Sequence, residues 1–274
     1  MSSASARRTV PGLAAMARAG EKIAMLTCYD ASFATMLDRA GVDTLLIGDS
    51  LGIVIGGHSS TLPVTLDEMI YHTRCVAAGA RSALIIADMS FGSYQASREQ
   101  AYASGARLMA AGAQMVKVEG GAWLAPTVEF LVARGIPVCG HLGLQPQSVH
   151  QTGGYVKQAT EDGSADALLA DAIALEDAGA FAILLESIPA DVARRVTAHL
   201  EVPTIGIGAG PECDGQVLVS YDMLGLFDGA VPSFVKQYAR LSEEISAATR
   251  EYVEEVRSGR YPLMPAPPRG IPTR

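Results

Sequence analysis

The sequence predicts a single domain that folds as a parallel (β/α)8 barrel, a TIM barrel, with an N-terminal helix and a C-terminal helical extension. Apolar runs and helical segments alternate about eight times along the 274 residues, which is the pattern of a parallel α/β protein. Several apolar runs end on an acidic residue. The active sites of (β/α)8 barrels lie at the C-terminal ends of the strands, which is where these acids would stand. Hydrophobic residues make up 49% of the chain, enough for one large core.

The apolar runs are predicted as strands at residues 23–27, 44–48, 83–87, 114–118, 137–140, 181–185, 203–207 and 216–219. Glycines predicted to end the preceding helices stand shortly before five of these runs, at Gly41, Gly79, Gly112, Gly135 and Gly179. An open, doubly wound sheet is the alternative architecture. Against it, residues 206–210 (GIGAG) lack the Gly-x-Gly-x-x-Gly spacing of a dinucleotide site and come late in the chain.

Helices are predicted between the strands and at both ends of the barrel. Residues 32–39 follow the first strand, and Thr65 with Glu68 forms a capping box that opens a helix closed by Gly79. Ser97 opens the next helix in the same way. These signals complete the strand–helix alternation that a parallel barrel needs.

The two ends of the chain carry weaker signals. Residues 10–19 have apolar side chains at helical spacing and are predicted to belong to the fold, although arginines that precede the first acid also resemble a transit peptide. Residues 231–256 are predicted as a terminal helix. Residues 1–8 and 262–274, the latter rich in proline, are predicted as flexible tails.

Composition excludes several classes of function. The net charge is -8 and no basic stripe is present, so a nucleic-acid partner is not expected. No run reaches the roughly 20 apolar residues of a membrane span. Four widely spaced cysteines, without a Cys-x-x-Cys pair, indicate neither a disulfide framework nor a zinc site, and they favour the cytoplasm: Cys28, Cys75, Cys139 and Cys213.

Four apolar runs lead directly into the acids Asp49, Asp88, Glu119 and Glu186. Carboxylates that converge at one barrel mouth repel each other unless a cation or a proton lies among them, and their hard oxygens suit Mg²⁺. Taken one at a time, each acid could instead cap a helix or pair with a surface arginine. The four together favour a metal-dependent site for a small molecule.

In two predicted strands, a pair of residues two positions apart lies on the same face of the strand. Lys117 and Glu119 are two residues apart, so Lys117 could bind an anionic substrate or stabilise an enolate, or could simply pair with Glu119. Cys139 and His141 are spaced in the same way. Cys139 is predicted to fill the barrel, and the role of His141 stays open between substrate contact and structure.

One connection is longer than the others. Residues 142–165 are polar and glycine-containing, and they follow a strand end. Connections of this length are usually lids, binding loops or disordered segments. A lid over the barrel mouth is therefore expected here.

Several ordered motifs resemble the ketopantoate hydroxymethyltransferase family: residues 48–52 (GDSLG), 61–65 (TLPVT), 115–121 (MVKVEGG), 138–144 (VCGHLGL) with 146–148 (PQS), and 205–210 (IGIGAG). The resemblance extends from about residue 9 to residue 261. Ser90 stands where the family commonly has proline, and Tyr221 where it commonly has histidine, so the resemblance does not predict the local loop geometry at these two positions.

This resemblance implies a barrel of the phosphoenolpyruvate mutase and isocitrate lyase kind. It implies Mg²⁺-dependent transfer of a hydroxymethyl group from 5,10-methylenetetrahydrofolate to 3-methyl-2-oxobutanoate, which yields 2-dehydropantoate on the pantothenate and coenzyme A route. It also implies a homo-oligomer, often a decamer.

The resemblance also assigns roles to six residues. By motif, Asp49 and Asp88 resemble metal ligands that also meet the substrate, and Glu119 resembles a ligand that acts directly or through water. Ser50 and Lys117 resemble substrate contacts, and Glu186 the general base. Two other hypotheses remain, a carbon–carbon lyase of the same barrel class and a barrel that only binds a metabolite.

Overall fold

The structure is a computed structural model that describes residues 7–161, 163–227, 229 and 231–262. The chain divides into two compact units, Met1–Ser220 and Tyr221–Arg274. That residues 1–274 form one domain stays a prediction. The first unit contains all eight strands, and the second contains the longest helix.

The first unit is a closed barrel of eight parallel strands in sequence order, which confirms the predicted (β/α)8 fold and excludes the open sheet. Strands β1 to β8 are Ile23–Thr27, Thr44–Ile47, Leu84–Asp88, Met115–Glu119, Val138–Gly143, Ala182–Glu186, Thr204–Ile207 and Gly215–Leu218. Seven of them start and end within one residue of the predicted runs. The exception is β5, which was predicted to end at residue 140 but stays paired with β6 as far as Gly143 opposite Glu186.

Helices α1 to α11 are Val10–Arg18, Ala31–Arg39, Leu51–Val54, Leu66–Gly79, Arg98–Ala111, Ala125–Val132, Val149–Thr152, Ser164–Asp177, Ala190–His199, Ser220–Met223 and Leu241–Ser258. The capping box at the start of α4 is confirmed, because Thr65 and Glu68 hydrogen-bond reciprocally. Gly79 does not end α4 as a left-handed residue. A side chain at that position would instead overlap the Ala31 carbonyl, so Gly79 permits close packing of α4 on α2.

Apolar side chains fill the barrel beneath the acids. The buried cluster includes Leu84 and Ile86 below Asp88, and Leu184 below Glu186. Cys139 belongs to the same cluster, and burial raises its pKa to about 12, so the prediction that it fills the barrel is confirmed.

Helix α1 closes this core from the N-terminal side. Its Leu13 and Met16 are buried in the barrel cluster, which confirms that residues 10–19 belong to the fold. Two residues of the predicted N-terminal tail contact the rest of the first unit. The guanidinium group of Arg8 lies 2.9 Å from the Asp43 carboxylate, and that of Arg7 donates to the Ala80 carbonyl. The rest of that tail, and all of the C-terminal tail after residue 262, lie outside the described residues.

In the second unit, the terminal helix α11 begins at Leu241, so the prediction of helix from residue 231 is wrong for its first ten residues. The backbone donors of this segment find partners outside a helix: Tyr238 donates to the Met223 carbonyl, and Leu241 donates to that of Leu224. Pro232, which lacks an N–H group, also stands in the irregular segment. None of the helices within the described ranges is long and apolar enough to cross a membrane.

Candidate active site

Strand register brings the predicted acids together at the C-terminal end of the barrel. Asp88 lies opposite Lys117 on the neighbouring strand, and Glu119 lies opposite His141. Asp49 lies two residues after the end of β2, and its backbone N–H donates to Oδ2 of Asp88 at 3.0 Å. Parallel pairing thus places on one rim residues that are up to about a hundred positions apart in the chain.

Lys117 is the buried cation at the centre of this rim. Its Nζ lies 3.2 Å from Asp88 Oδ1, 3.8 Å from Glu119 Oε1 and 3.1 Å from Nδ1 of His141. Burial works to lower the pKa of Lys117, but the carboxylates of Asp88, Glu119 and Asp49 raise it well above its usual range. Lys117 is therefore charged, and the alternative in which it pairs with Glu119 alone is wrong.

Asp49 and Asp88 carry more negative charge than their surroundings neutralise. Burial, followed by the charges of Asp88 and Glu119, raises the pKa of Asp49 to about 8. Burial also raises the pKa of Asp88, although Lys117 opposes the shift. Asp49 therefore keeps a proton at neutral pH unless a cation takes that place.

Glu119 and His141 form the next link of the cluster. Glu119 Oε1 lies 3.3 Å from Nδ1 of His141, and Nε2 of the same ring lies 3.3 Å from Glu186 Oε2. Burial would raise the pKa of Glu119, but His141 and Lys117 hold it below its usual value. Burial and Lys117 lower the pKa of His141, whereas Glu119 and Glu186 raise it, to about 9 on balance. His141, whose role the sequence leaves open, thus bridges two carboxylates.

Glu186 and Ser50 lie nearer to solvent than the other predicted residues. The side chain of Glu186 is 19% exposed, against 3% for Asp88 and Glu119. Ser50 is partly buried beside Asp49, and its hydroxyl lies 2.9 Å from the Tyr29 hydroxyl. Glu186 is thus the carboxylate most open to an incoming molecule.

The structure adds two residues that sequence reasoning missed. Gln147 is buried, its side chain donates to Asp49 Oδ2 at 2.9 Å, and its backbone N–H donates to Glu119 Oε2 at 3.0 Å. The Tyr94 hydroxyl lies 2.8 Å from Oε1 of Gln147 and accepts from the backbone N–H of Glu119 at 3.0 Å. Gln147 lies within a recognised motif, but neither residue has a periodicity or charge signal that marks it as part of a site.

The oxygen donors of the rim fit a magnesium ion. Asp88 Oδ1 and Glu119 Oε1 are buried, and neither accepts a well-aligned hydrogen bond within the described part of the chain. Across the same described ranges, no group of three or more His, Cys, Asp or Glu side chains forms a ready metal site. Magnesium commonly uses only one or two carboxylates and completes its shell with water and substrate oxygens. Asp88 and Glu119, which carry these buried oxygens, could supply such ligands, together with Asp49, whose backbone N–H donates to Asp88.

The long connection after β5 has two distinct parts. Residues Pro146–Ser148 form a 3-10 turn that carries Gln147 into the rim, and α7 follows it. Farther along, Tyr155 is half exposed, and burial raises its pKa, as do the charges of Asp49, Glu186 and Glu119. That this segment opens and closes as a lid stays a prediction.

Comparison with known proteins decides the family. The model of the ketopantoate hydroxymethyltransferase family matches residues 7–264. The 3-methyl-2-oxobutanoate hydroxymethyltransferase of Thiobacillus denitrificans is 62% identical over 254 residues, which cover 93% of this chain and 97% of that protein. The chain belongs to the ketopantoate hydroxymethyltransferase family.

Solved structures of low sequence identity share the fold of this family member. Phosphonopyruvate hydrolase in complex with oxalate and Mg²⁺ aligns with a TM-score of 0.60 at 15% identity, covering 92% of this chain and 88% of that chain. The 2,3-dimethylmalate lyase, a member of the PEP mutase/isocitrate lyase superfamily, aligns with a TM-score of 0.60 at 17% identity, covering 94% and 90%. These structural similarities confirm the (β/α)8 barrel fold.

The family assignment confirms the predicted activity, which is hydroxymethyl transfer to 3-methyl-2-oxobutanoate in pantothenate biosynthesis. The two alternatives, a carbon–carbon lyase and a barrel that only binds a metabolite, are set aside by the same finding. The residues match the chemistry, because a charged lysine and several carboxylates can bind a 2-oxo acid and move its proton.

Proposed function

We propose that the enzyme works by enolisation, in which Glu186 removes the C3 proton of 3-methyl-2-oxobutanoate. The observation that carries this proposal is the contrast between Glu186 and the other acids. Asp88 and Glu119 are buried against Lys117, whereas Glu186 is partly exposed and its ion-pair partner is His141. A base must reach its substrate, and Glu186 is the carboxylate with that access.

His141 supports the role of Glu186 as the base, because its ring contacts the Glu186 carboxylate. It lies between Glu186 and Glu119 at 3.3 Å from each, so it can donate to both carboxylates and hold that of Glu186 in place. The apolar side chain of Leu184 lies on the same strand face below Glu186 and keeps water from that side.

We further propose that Asp49 and Asp88 would bind Mg²⁺ and that Glu119 would act as a further ligand, directly or through water. The raised pKa of Asp49 and the surplus of buried negative charge support a cation at this place. The Mg²⁺ and oxalate complex of phosphonopyruvate hydrolase, which shares the fold, supports it as well. When bound, magnesium would act as a Lewis acid that polarises the keto group of the substrate.

Lys117 and Ser50 are proposed to bind the substrate. The Lys117 ammonium group, charged and buried, can neutralise the substrate carboxylate and stabilise the enolate that forms when C3 loses its proton. Water opens both C–N bonds of the methylene group of 5,10-methylenetetrahydrofolate, which releases tetrahydrofolate and leaves the one-carbon unit as formaldehyde. The enolate carbon then bonds to the formaldehyde carbon, and the proton held by Glu186 neutralises the resulting alkoxide to give 2-dehydropantoate.

Glu186→Gln tests the assignment of the base, because glutamine keeps the shape and removes the basicity. Wild-type enzyme with Mg²⁺ should exchange the C3 proton of 3-methyl-2-oxobutanoate with D₂O without folate, as followed by NMR. Glu186→Gln should bind the substrate but nearly stop this exchange. Glu129→Gln, at an exposed position of α6, is the control and should exchange as wild type does. Wild-type exchange in Glu186→Gln would identify another base, and His141 would be tested next.

Location and assembly complete the proposal. All four cysteines are free, which supports a reducing cytoplasm. Assembly as a homo-oligomer, with a decamer as the expected size, is proposed by analogy with the family. Multi-angle light scattering of the purified protein measures this mass directly.

A further inference from the structure

Gln147 has the contacts of a residue that holds the site together. It lies in the 3-10 turn after β5, it is 5% exposed, and it contacts the ends of β2, β3 and β4. Its side chain donates to Asp49 Oδ2 and to the Met89 carbonyl, both at 2.9 Å. The carboxylate of Asp49 and the residue after Asp88 are therefore tied to one amide group.

The orientation of this amide is determined by its neighbours. Its Oε1 faces two donors, the Tyr94 hydroxyl at 2.8 Å and Gln95 Nε2 at 3.2 Å. Its Nε2 faces two acceptors, on Asp49 and Met89. A flipped amide would bring oxygen against oxygen at both acceptors, so Tyr94 and Gln95 fix the direction in which Gln147 donates. Both protons and both lone pairs of the amide are used.

The backbone of Gln147 reaches a second carboxylate. Its N–H group donates to Glu119 Oε2 at 3.0 Å, while the Glu119 backbone N–H donates to the Tyr94 hydroxyl. A substitution of the Gln147 side chain removes the bond to Asp49 and keeps the bond to Glu119. The two contacts can therefore be separated by experiment.

We propose that Gln147 is a positioning residue, whose amide, oriented by Tyr94, holds the Asp49 carboxylate in the direction in which it binds Mg²⁺. This inference rests on the proposed function, since Asp49 must be a metal ligand. Hydrogen-bond partners of metal ligands typically contribute 10- to 100-fold to metal affinity. A buried charged acceptor without its donor is also free to turn away from the ion.

The experiment compares Gln147→Met with wild type. Methionine has a similar length and volume, makes no hydrogen bond to Asp49 and leaves the backbone N–H in place. Calorimetric titration with MgCl₂ in the presence of 3-methyl-2-oxobutanoate should give about 10- to 100-fold weaker Mg²⁺ binding. Saturating Mg²⁺ should restore most of kcat, a recovery that a general loss of structure would not show. Gln100→Met, at a partly buried glutamine whose amide donates to the Gly92 carbonyl, should bind Mg²⁺ as wild type does.

Tyr94→Phe provides a second variant that keeps the ring and removes only the hydroxyl group. It should weaken Mg²⁺ binding, and combining it with Gln147→Met should cost less than the sum of the two single effects, because both act on the Gln147 amide while the hydroxyl also accepts from the Glu119 backbone N–H. Wild-type Mg²⁺ affinity in Tyr94→Phe would overturn the role of Tyr94. This result is decisive even if Gln147→Met fails to fold.

Asp49→Asn separates failure of this inference from failure of the proposed function. If Asp49→Asn loses Mg²⁺ binding while Gln147→Met binds as tightly as wild type, the positioning role of Gln147 is wrong and the metal site stands. If Asp49→Asn itself binds Mg²⁺ normally, Asp49 is not a ligand, and both the metal assignment and the role of Gln147 are overturned.

Discussion

Replacing Asp49 with asparagine should stabilise the metal-free protein even though it removes activity. Asp49 is 4% exposed, and burial together with Asp88 and Glu119 raises its pKa from 3.8 to about 8. At pH 7 the folded protein therefore holds a proton that the unfolded chain has released, and this difference opposes folding. At 1.36 kcal/mol per pH unit, the interval from 3.8 to 7 gives an upper bound of about 4 kcal/mol, which asparagine avoids.

The pH dependence of this effect has a definite sign. The folded pKa is raised, so the free energy of unfolding of wild type, relative to Asp49→Asn, falls as pH rises from about 4 to about 8 and is level above 8. Asparagine still offers an oxygen to Gln147, so the hydrogen bond at this position can be kept.

Thermal unfolding in EDTA at pH 5, 7 and 8 measures the difference. At roughly 2–4 °C per kcal/mol, Asp49→Asn should have a Tm up to about 16 °C above wild type at pH 7, with a smaller gap at pH 5. Mg²⁺ should raise the Tm of wild type only. A lower Tm for Asp49→Asn in EDTA at pH 7, or a gap that does not grow with pH, would refute the account of buried charge.

Three further substitutions test other parts of the site and the fold. Lys117→Ala should lower kcat/KM by about 100-fold or more in steady-state kinetics. It should also lower Tm, because it leaves the buried carboxylates of Asp88 and Glu119 without their cation. If kcat/KM stays at the wild-type value, Lys117 has a structural role only. Gly143→Ala should displace Glu186 and abolish C3 proton exchange, because Gly143 has φ +88° and a side chain there would overlap the Glu186 carbonyl. Exchange at the wild-type rate would contradict this packing. Thr65→Ala should reduce the free energy of unfolding by about 1 kcal/mol in urea titrations with kcat unchanged, since it removes only the cap of α4; no loss of stability would show that the cap contributes little.

Sequence alone determined the elements and the type of chemistry. Strand positions, the capping box at Thr65 and the acids at strand ends are local signals, carried by residues within a few positions of each other. The same local logic failed at residues 231–240, where backbone donors bond to distant carbonyls, and at Gly79, where the constraint comes from a neighbouring helix. Both predictions failed for the same reason, because the residues in question contact groups that are distant in the sequence.

Only the tertiary structure decided which of the charged groups at the barrel rim pair with each other. Register across the closed barrel sets Asp88 against Lys117 and Glu119 against His141, and no local pattern encodes this pairing. Gln147 meets Asp49 across 98 positions of sequence. The charge state of a buried group depends on such neighbours, because within the barrel burial and nearby charges set its pKa. The sequence therefore determined which groups are present, and the closed sheet decided which of them keep a proton, which form ion pairs and which stay open to substrate.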